Sequence, residues 1–156
     1  MGAITTAPDF LDAIRTALVA RAGLAGVTVF TGPMPMEEVG TKCIVLATEA
    51  TTADLDQPLM GRAEVFEEYD IGGFIWAKVD GAGETAIGLA RDAAFDIFEE
   101  VADYLASLTT TAATQTAIKV DDASVTGWTM EQFAEPGERH CYVRFTIRCK
   151  ARFTPA

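Results

Sequence analysis

Arg139-His140-Cys141-Tyr142-Val143-Arg144-Phe145-Thr146-Ile147-Arg148-Cys149-Lys150-Ala151-Arg152-Phe153 is the stretch on which the fold turns. From Cys141 to Phe153 the odd positions read Cys, Val, Phe, Ile, Cys, Ala, Phe. From His140 to Arg152 the even ones read His, Tyr, Arg, Thr, Arg, Lys, Arg. A period of two sends successive side chains to opposite faces of a strand, so one face packs on a core and the other is polar. Fifteen residues at about 3.4 Å each span roughly 50 Å, whereas a compact chain of this length is roughly 40 Å across. A straight strand over 139–153 is therefore expected either to bulge and bend or to reach a neighbouring subunit.

Moving outward, Ala123 to Phe133 reads as a preceding strand, joined to the last one through Ala134-Glu135-Pro136-Gly137-Glu138. Upstream of a Thr/Ala-rich connector (Thr109 to Thr116) lies the strongest helix, Glu84 to Leu108. Ile87, Ala90, Ala94, Ile97, Phe98, Val101, Leu105 and Leu108 recur there in steps of three and four, and Asp92, Asp96, Glu99, Glu100 and Asp103 occupy much of the rest. Ala63 to Val79 is strand-like, with Gly72-Gly73 marking either a hairpin turn or a kink within one long strand. Residues 48–62 show no period and read as a long surface loop. Cys43 to Ala47 and Val27 to Phe30 are short strands, the first continuous in apolar residues and so central. Near the start, Thr6-Ala7-Pro8-Asp9 reads as a hydroxyl-capped helix opening, followed by Phe10, Leu11, Ile14, Ala17, Leu18 and Ala22 at helical spacing and a stop at Gly23.

The chain has 156 residues, enough for one domain with one core, expected to span 1–156. With 49% apolar and 22% charged residues it is neither disordered nor low in complexity. Its apolar runs are far shorter than the roughly 18–20 residues that cross a bilayer, so no membrane partner is expected. MGAITTAPDF lacks the basic and apolar regions of a secretory signal; its Gly2 and Thr6 match a myristoylation pattern that short sequences meet by chance. Three cysteines read as buried, reduced thiols. Cys141 and Cys149, eight residues apart in one strand, sit roughly 27 Å from each other, too far for a disulfide.

The net charge of −11 argues against affinity for nucleic acid over the whole surface. Its distribution is uneven. Seven bases stand against 23 acids before Arg139, and from there onward there are five bases and no acid. Arg144, Arg148, Lys150 and Arg152 form a stripe on the polar side of the last strand. Three readings compete for it: an edge strand protected by charge, a nucleic-acid groove with Tyr142 and Trp128 as stacking aromatics, and a protein–protein contact, which we prefer. A basic ribbon on an acidic body suits head-to-tail contact between identical copies, and such contacts build rings. The candidate subunit-interface residues are therefore Arg144, Arg148, Lys150 and Arg152 on the strand, facing Asp96, Glu99, Glu100 and Asp103 on a neighbour's helix.

No catalytic or metal-binding constellation emerges. Gly81-Ala82-Gly83-Glu84-Thr85-Ala86 fits G-x-G-x-x-A, but strand–helix alternation does not follow it, and the segment reads better as a turn before a helix. His140 is the one histidine and is expected on the surface; the cysteines lack C-x-x-C spacing; and Ser107 and Ser124 sit in no nucleophile elbow. No catalytic, cofactor or metal residue is assigned.

The order of elements resembles that of the tail terminator (tail-completion or head–tail joining) proteins of long-tailed bacteriophages. The likeness rests on the opening helix Phe10–Ala22, the Gly23–Gly26 break into Val27-Thr28-Val29-Phe30, the turn Gly32-Pro33-Met34-Pro35 and the strand Cys43–Ala47. It continues through the strand reaching Val79, the helix Glu84–Leu108 and the final strand pair ending in Val143-Arg144-Phe145-Thr146-Ile147-Arg148. The resemblance implies an α+β fold, a mostly antiparallel sheet of four to five strands with two helices packed on one face. It also implies a structural virion protein without enzymatic activity or cofactor. Such subunits form a homohexameric ring that caps the tail tube protein, ends its polymerisation and docks the head-completion or connector protein, with DNA passing through the lumen non-specifically. Assembly in the host cytoplasm into the virion neck is implied too. A neighbouring neck or tube component is the close alternative, and a small-ligand or nucleotide-binding α+β domain built on the Gly81–Thr85 turn is the alternative of another class.

Overall fold

A computed structural model describes residues 5–34, 40–47, 53–56, 65–108 and 120–153. Two helices, α1 (Ala7–Ala20) and α2 (Gly83–Ser107), and a short 3-10 turn (Ala22–Leu24) accompany six strands. These are β1 (Thr28–Phe30), β2 (Lys42–Leu46), β3 (Ala53–Asp56), β4 (Val65–Asp80), β5 (Asp122–Glu135) and β6 (Glu138–Phe153). One sheet runs in the order β1-β2-β4-β6-β5, with β3 beside the first part of β4. Every pairing is antiparallel except β1 with β2. The architecture is α+β as expected, with six strands rather than four to five.

The additional strand lies inside 48–62, which the sequence presents as loop. Ala53-Asp54-Leu55-Asp56 is too short to display a period and is held by pairing with Phe66 to Tyr69. The rest of 48–62, like the connector Thr109 to Thr116, lies outside the described residues.

β4 and β6 form the axis of the molecule. Sixteen residues of each pair in one unbroken register, from Val65 opposite Phe153 to Asp80 opposite Glu138. Gly72-Gly73 is therefore neither a turn nor a bulge. Glycine is required at 73 because β2 crosses close by: a Cβ there stands 2.7 Å from the Val45 carbonyl oxygen. The 139–153 segment also does not overshoot the molecule. The 40 Å estimate assumes a sphere, whereas two equally long strands side by side make an elongated sheet. Nor is β6 an edge, since β4 flanks it on one side and β5 on the other.

Odd residues of β4 and β6 face the helices. Phe10, Ile14 and Leu18 of α1 join Ala90, Ala94, Ile97, Val101 and Leu105 of α2 in one cluster with Ile44, Ile71, Ile75, Val143, Phe145 and Ile147 of the sheet. Alanines at the N-terminal half of α2 let its backbone approach the strands. Full burial of each large aliphatic side chain contributes about 1.5–3 kcal/mol. Cys43, Cys141 and Cys149 are buried and unbridged, as expected.

The start of α1 departs from the expected cap. Thr6 occupies the N-cap position, but its hydroxyl makes no capping bond to the helix. It donates instead to Glu67 Oε2 at 2.9 Å, and the Thr6 backbone N–H donates to the same oxygen at 2.9 Å. Thr5 also donates its hydroxyl to Glu67. A carboxylate from β4, 1% exposed, thus takes the Thr6 N–H and hydroxyl, while the Ala7 N–H at the first helical position donates to the Thr5 hydroxyl at 3.2 Å, so Thr5 rather than Thr6 supplies the local hydroxyl.

Candidate functional site

Even residues of β4 and β6 point away from both helices, onto a face that no described helix covers. Here the basic stripe meets acids of its own chain. Arg148 donates from Nε to Asp70 Oδ1 at 3.1 Å and from its terminal nitrogen to Oδ2 at 3.3 Å, and that pairing pushes the guanidinium pKa up. Lys150 Nζ lies 3.9 Å from Glu68, its cross-strand partner, and Arg152 Nε lies 3.1 Å from Asp121. Each pair is half-exposed and worth about 0–1 kcal/mol. The network favours the β4–β6 register more than it adds stability. Arg144, exposed between Phe74 and Thr129, has no acid partner among the described residues. Beside it Gly72, Thr146 and Gly127 line up across three strands as the floor of an open depression of about 450 Å³.

The helix acids of the interface prediction sit on the opposite side of the molecule. Asp96, Glu99 and Asp103 are exposed along the outer side of α2, without a cationic partner among the described residues. Glu100 is not available in the same way, because it is half-buried against Arg21. Gly23, which lies inside the 3-10 turn, leaves the room that the Glu100 carboxylate fills.

A nucleic-acid groove with Tyr142 and Trp128 as stacking partners is not formed. A bulge between Val125 and Gly127 shifts the β5 register by one residue and so exchanges its faces. Trp128 consequently stands opposite Phe145 on the helix side, edge-on to Phe95 at 5.2 Å, while Tyr142 lies on the uncovered face with Phe74 and Phe133.

His140, expected on the surface, is 6% exposed. Its ring stacks on Phe133 at 4.4 Å, and the Trp76 indole N–H donates to its Nδ1 at 3.0 Å. Indole is a donor only, so Nδ1 must be the acceptor and Nε2 carries the proton, facing Glu138 Oε2 at 3.2 Å. Glu135, Glu138 and His140 together have the spacing of a cation site. The chemistry does not fit one: a metal on Nε2 needs the proton moved to Nδ1, where it would oppose the Trp76 N–H. Neither histidine nitrogen meets a serine.

The Gly81–Thr85 turn does not form a dinucleotide site. β4 enters it antiparallel to its neighbours, α2 begins at Gly83, and the Gly81 N–H is already bonded to the Gly137 carbonyl at 2.8 Å, tying the hairpin tip to the helix start.

No protein-family model matches this chain, and no curated protein matches it. Among solved structures it resembles a chain of "Virion of native gene transfer agent (GTA) particle", with a TM-score of 0.53 and 15% identity. The alignment covers 96% of this chain and 100% of that one. The fold is one that a virion particle uses. At this identity the likeness establishes fold, and it spans α1 through β6 rather than one shared motif.

Proposed function

We propose that this protein is a structural, non-enzymatic component of a phage-like virion, and that it forms a ring at the head–tail joint. In this reading the ring caps the tail tube, stops its growth and receives the head connector, and DNA passes through without sequence recognition. The observation that carries the reading is the likeness to a chain of the gene transfer agent virion, which covers 96% of this chain and all of that one. The element order that resembles tail terminators supports the position at the neck.

Arg144, with Arg148, Lys150 and Arg152 beside it, and Asp96, Glu99, Glu100 and Asp103 on the far side are the proposed contact residues toward neighbours in the particle, further copies included. Internal pairing leaves Arg144 and the trio Asp96, Glu99 and Asp103 as the charges with most to offer. They lie on opposite faces, which suits head-to-tail rather than two-fold contact.

The test is electron microscopy of particles from a producing culture, with and without the gene. The expected result is one ring at the neck and, without the gene, tails of uncontrolled length unattached to heads. Rings repeated along the tail would assign the protein to the tube instead, and absence from purified particles by mass spectrometry would end the virion reading.

A further inference from the structure

At the hairpin end of the sheet, Trp76, Phe133, His140 and Tyr142 form one aromatic cluster, with neighbouring ring centroids between 4.4 and 6.5 Å apart. Trp76 is 7% exposed and packs with Cys43 and Val45 of β2. Among the described residues its indole N–H has one partner, His140 Nδ1 at 3.0 Å. A buried N–H left without an acceptor is costly, so this bond ties the indole to the protonation state of one imidazole. Histidine is the side chain whose ordinary charge change falls in the physiological pH range.

The charged groups around the ring pull the other way. Glu138 Oε2 lies 3.2 Å from Nε2 and Glu135 Oε2 lies 3.8 Å from it, both beside the hairpin turn. From β4, Lys78 stands opposite His140 in register and donates to Glu138 Oε1 at 3.3 Å. Hydrogen bonds from Lys78 first, and then His140, hold the Glu138 carboxyl below its ordinary range, so it stays charged where histidine takes up a proton. Arg139 is engaged elsewhere, donating from Nη1 to the Glu135 and Glu138 carbonyl oxygens at 3.1 and 2.7 Å. Glu131, opposite Tyr142, and Asp80, opposite Glu138, are exposed at the periphery. Two carboxylates therefore favour an imidazolium at Nε2, while the indole N–H opposes a proton at Nδ1. An imidazolium donates from both nitrogens and indole only donates, so the charged ring cannot keep Trp76.

We propose that His140 is a proton-operated latch on the hairpin end of the sheet. Neutral, it accepts from Trp76 and closes the aromatic cluster. Protonated, it holds Glu138, draws in Glu135 and releases the indole, which must turn toward water. The Trp76 contact is complete above the histidine range and is lost as pH falls through it. The change stays local, because the β4–β6 ladder and the Gly81 N–H bond to the Gly137 carbonyl do not pass through the ring. Tyr142 and Phe133 lie on the face without a described helix, so acid alters that surface without unfolding the sheet. The latch is independent of the virion reading.

Proton–nitrogen correlation NMR of the full-length protein tests it, titrated from about pH 8 to about pH 5. The chain has two tryptophans and one histidine, so both indole N–H signals and the imidazole titration are assignable, with the 54% exposed Trp128 as internal reference. The Trp76 N–H is expected to move upfield at the midpoint of the His140 titration, while Trp128 and the far-UV circular dichroism stay constant. His140→Gln keeps an acceptor without a titrating proton and is expected to hold the Trp76 signal fixed over this range. Trp76→Phe removes the donor that opposes the proton and is expected to move the His140 titration to higher pH. A Trp76 signal that ignores the imidazole, one that moves equally in His140→Gln, or a titration that Trp76→Phe leaves in place or lowers would each overturn the proposal. So would a far-UV signal that collapses together with the Trp76 shift, since the event would then be global unfolding.

Discussion

Glu67 bears more of the fold than its type suggests. It is an acid at 1% exposure whose oxygens accept hydrogen bonds from the Thr5 hydroxyl, the Thr6 hydroxyl and the Thr6 backbone N–H, while the Thr6 hydroxyl also meets the Tyr69 hydroxyl at 3.2 Å. Glu67→Ala strands buried donors at the α1 terminus and is expected to lower unfolding free energy by about 1–3 kcal/mol in urea titrations; a change within about 0.5 kcal/mol, the range of ordinary surface substitutions, would mean that water replaces the carboxylate at no cost. The thiols define a second expectation. Burial raises Cys43 from 9.0 to about 11 and Cys149 from 9.0 to about 12. A thiol raised on folding favours the folded state fully below its ordinary pKa and loses that contribution as pH climbs through the folded value. Stability is therefore expected to hold through neutral pH and to fall between about 9 and 12, and iodoacetamide at pH 8 should label the cysteines no faster than the protein opens. Glu67 was not legible in the sequence. It sits in the run Val65-Phe66-Glu67-Glu68-Tyr69-Asp70, where one more acid looks solvated, and its partners are more than sixty positions away.

At the scale of elements, the glycines of β4 and β5 look alike in sequence and differ in consequence. A Cβ at Gly73 meets the Val45 carbonyl at 2.7 Å and Phe145 at 3.1 Å, whereas one at Gly127 meets nothing within 4 Å. Gly73→Ala is expected to destabilise by about 1–3 kcal/mol or more through backbone displacement, and Gly127→Ala by far less; thermal melts of the two variants compare them directly. The strong periods were readable: α2, α1 and β6 lie within a few residues of their expected bounds because burial imposes periods of 3.6 and 2 on the sequence. What the sequence hid were relations between elements. Nothing in Val125-Thr126-Gly127 announces a bulge, yet that one residue decides whether Trp128 faces Phe95 or Arg144. The acids that answer the basic stripe, Asp70, Glu68 and Asp121, are far away in sequence, so a ribbon that looked unsatisfied along the chain proves largely paired in space. Of the proposed contact charges, the sequence located the side chains and their signs but not which were already occupied.

For the molecule as a whole, stability should be graded across the sheet. β4 and β6 are flanked on both sides and covered by α2, while among the described residues β5 pairs with β6 alone and meets α2 chiefly through Trp128. Native-state hydrogen exchange is expected to show the slowest amides in β4 and β6 and the fastest strand amides along the free side of β5. The uninterrupted β4–β6 ladder also has a mechanical consequence. A pull that slides these two strands past each other loads all sixteen rungs together, because no turn or bulge divides them into separately yielding parts. A pull across the strands can peel them one rung at a time. The subunit is accordingly stiffest along its strands and most easily torn from the β5 side, so a neighbour seated there would brace the border that otherwise tears first.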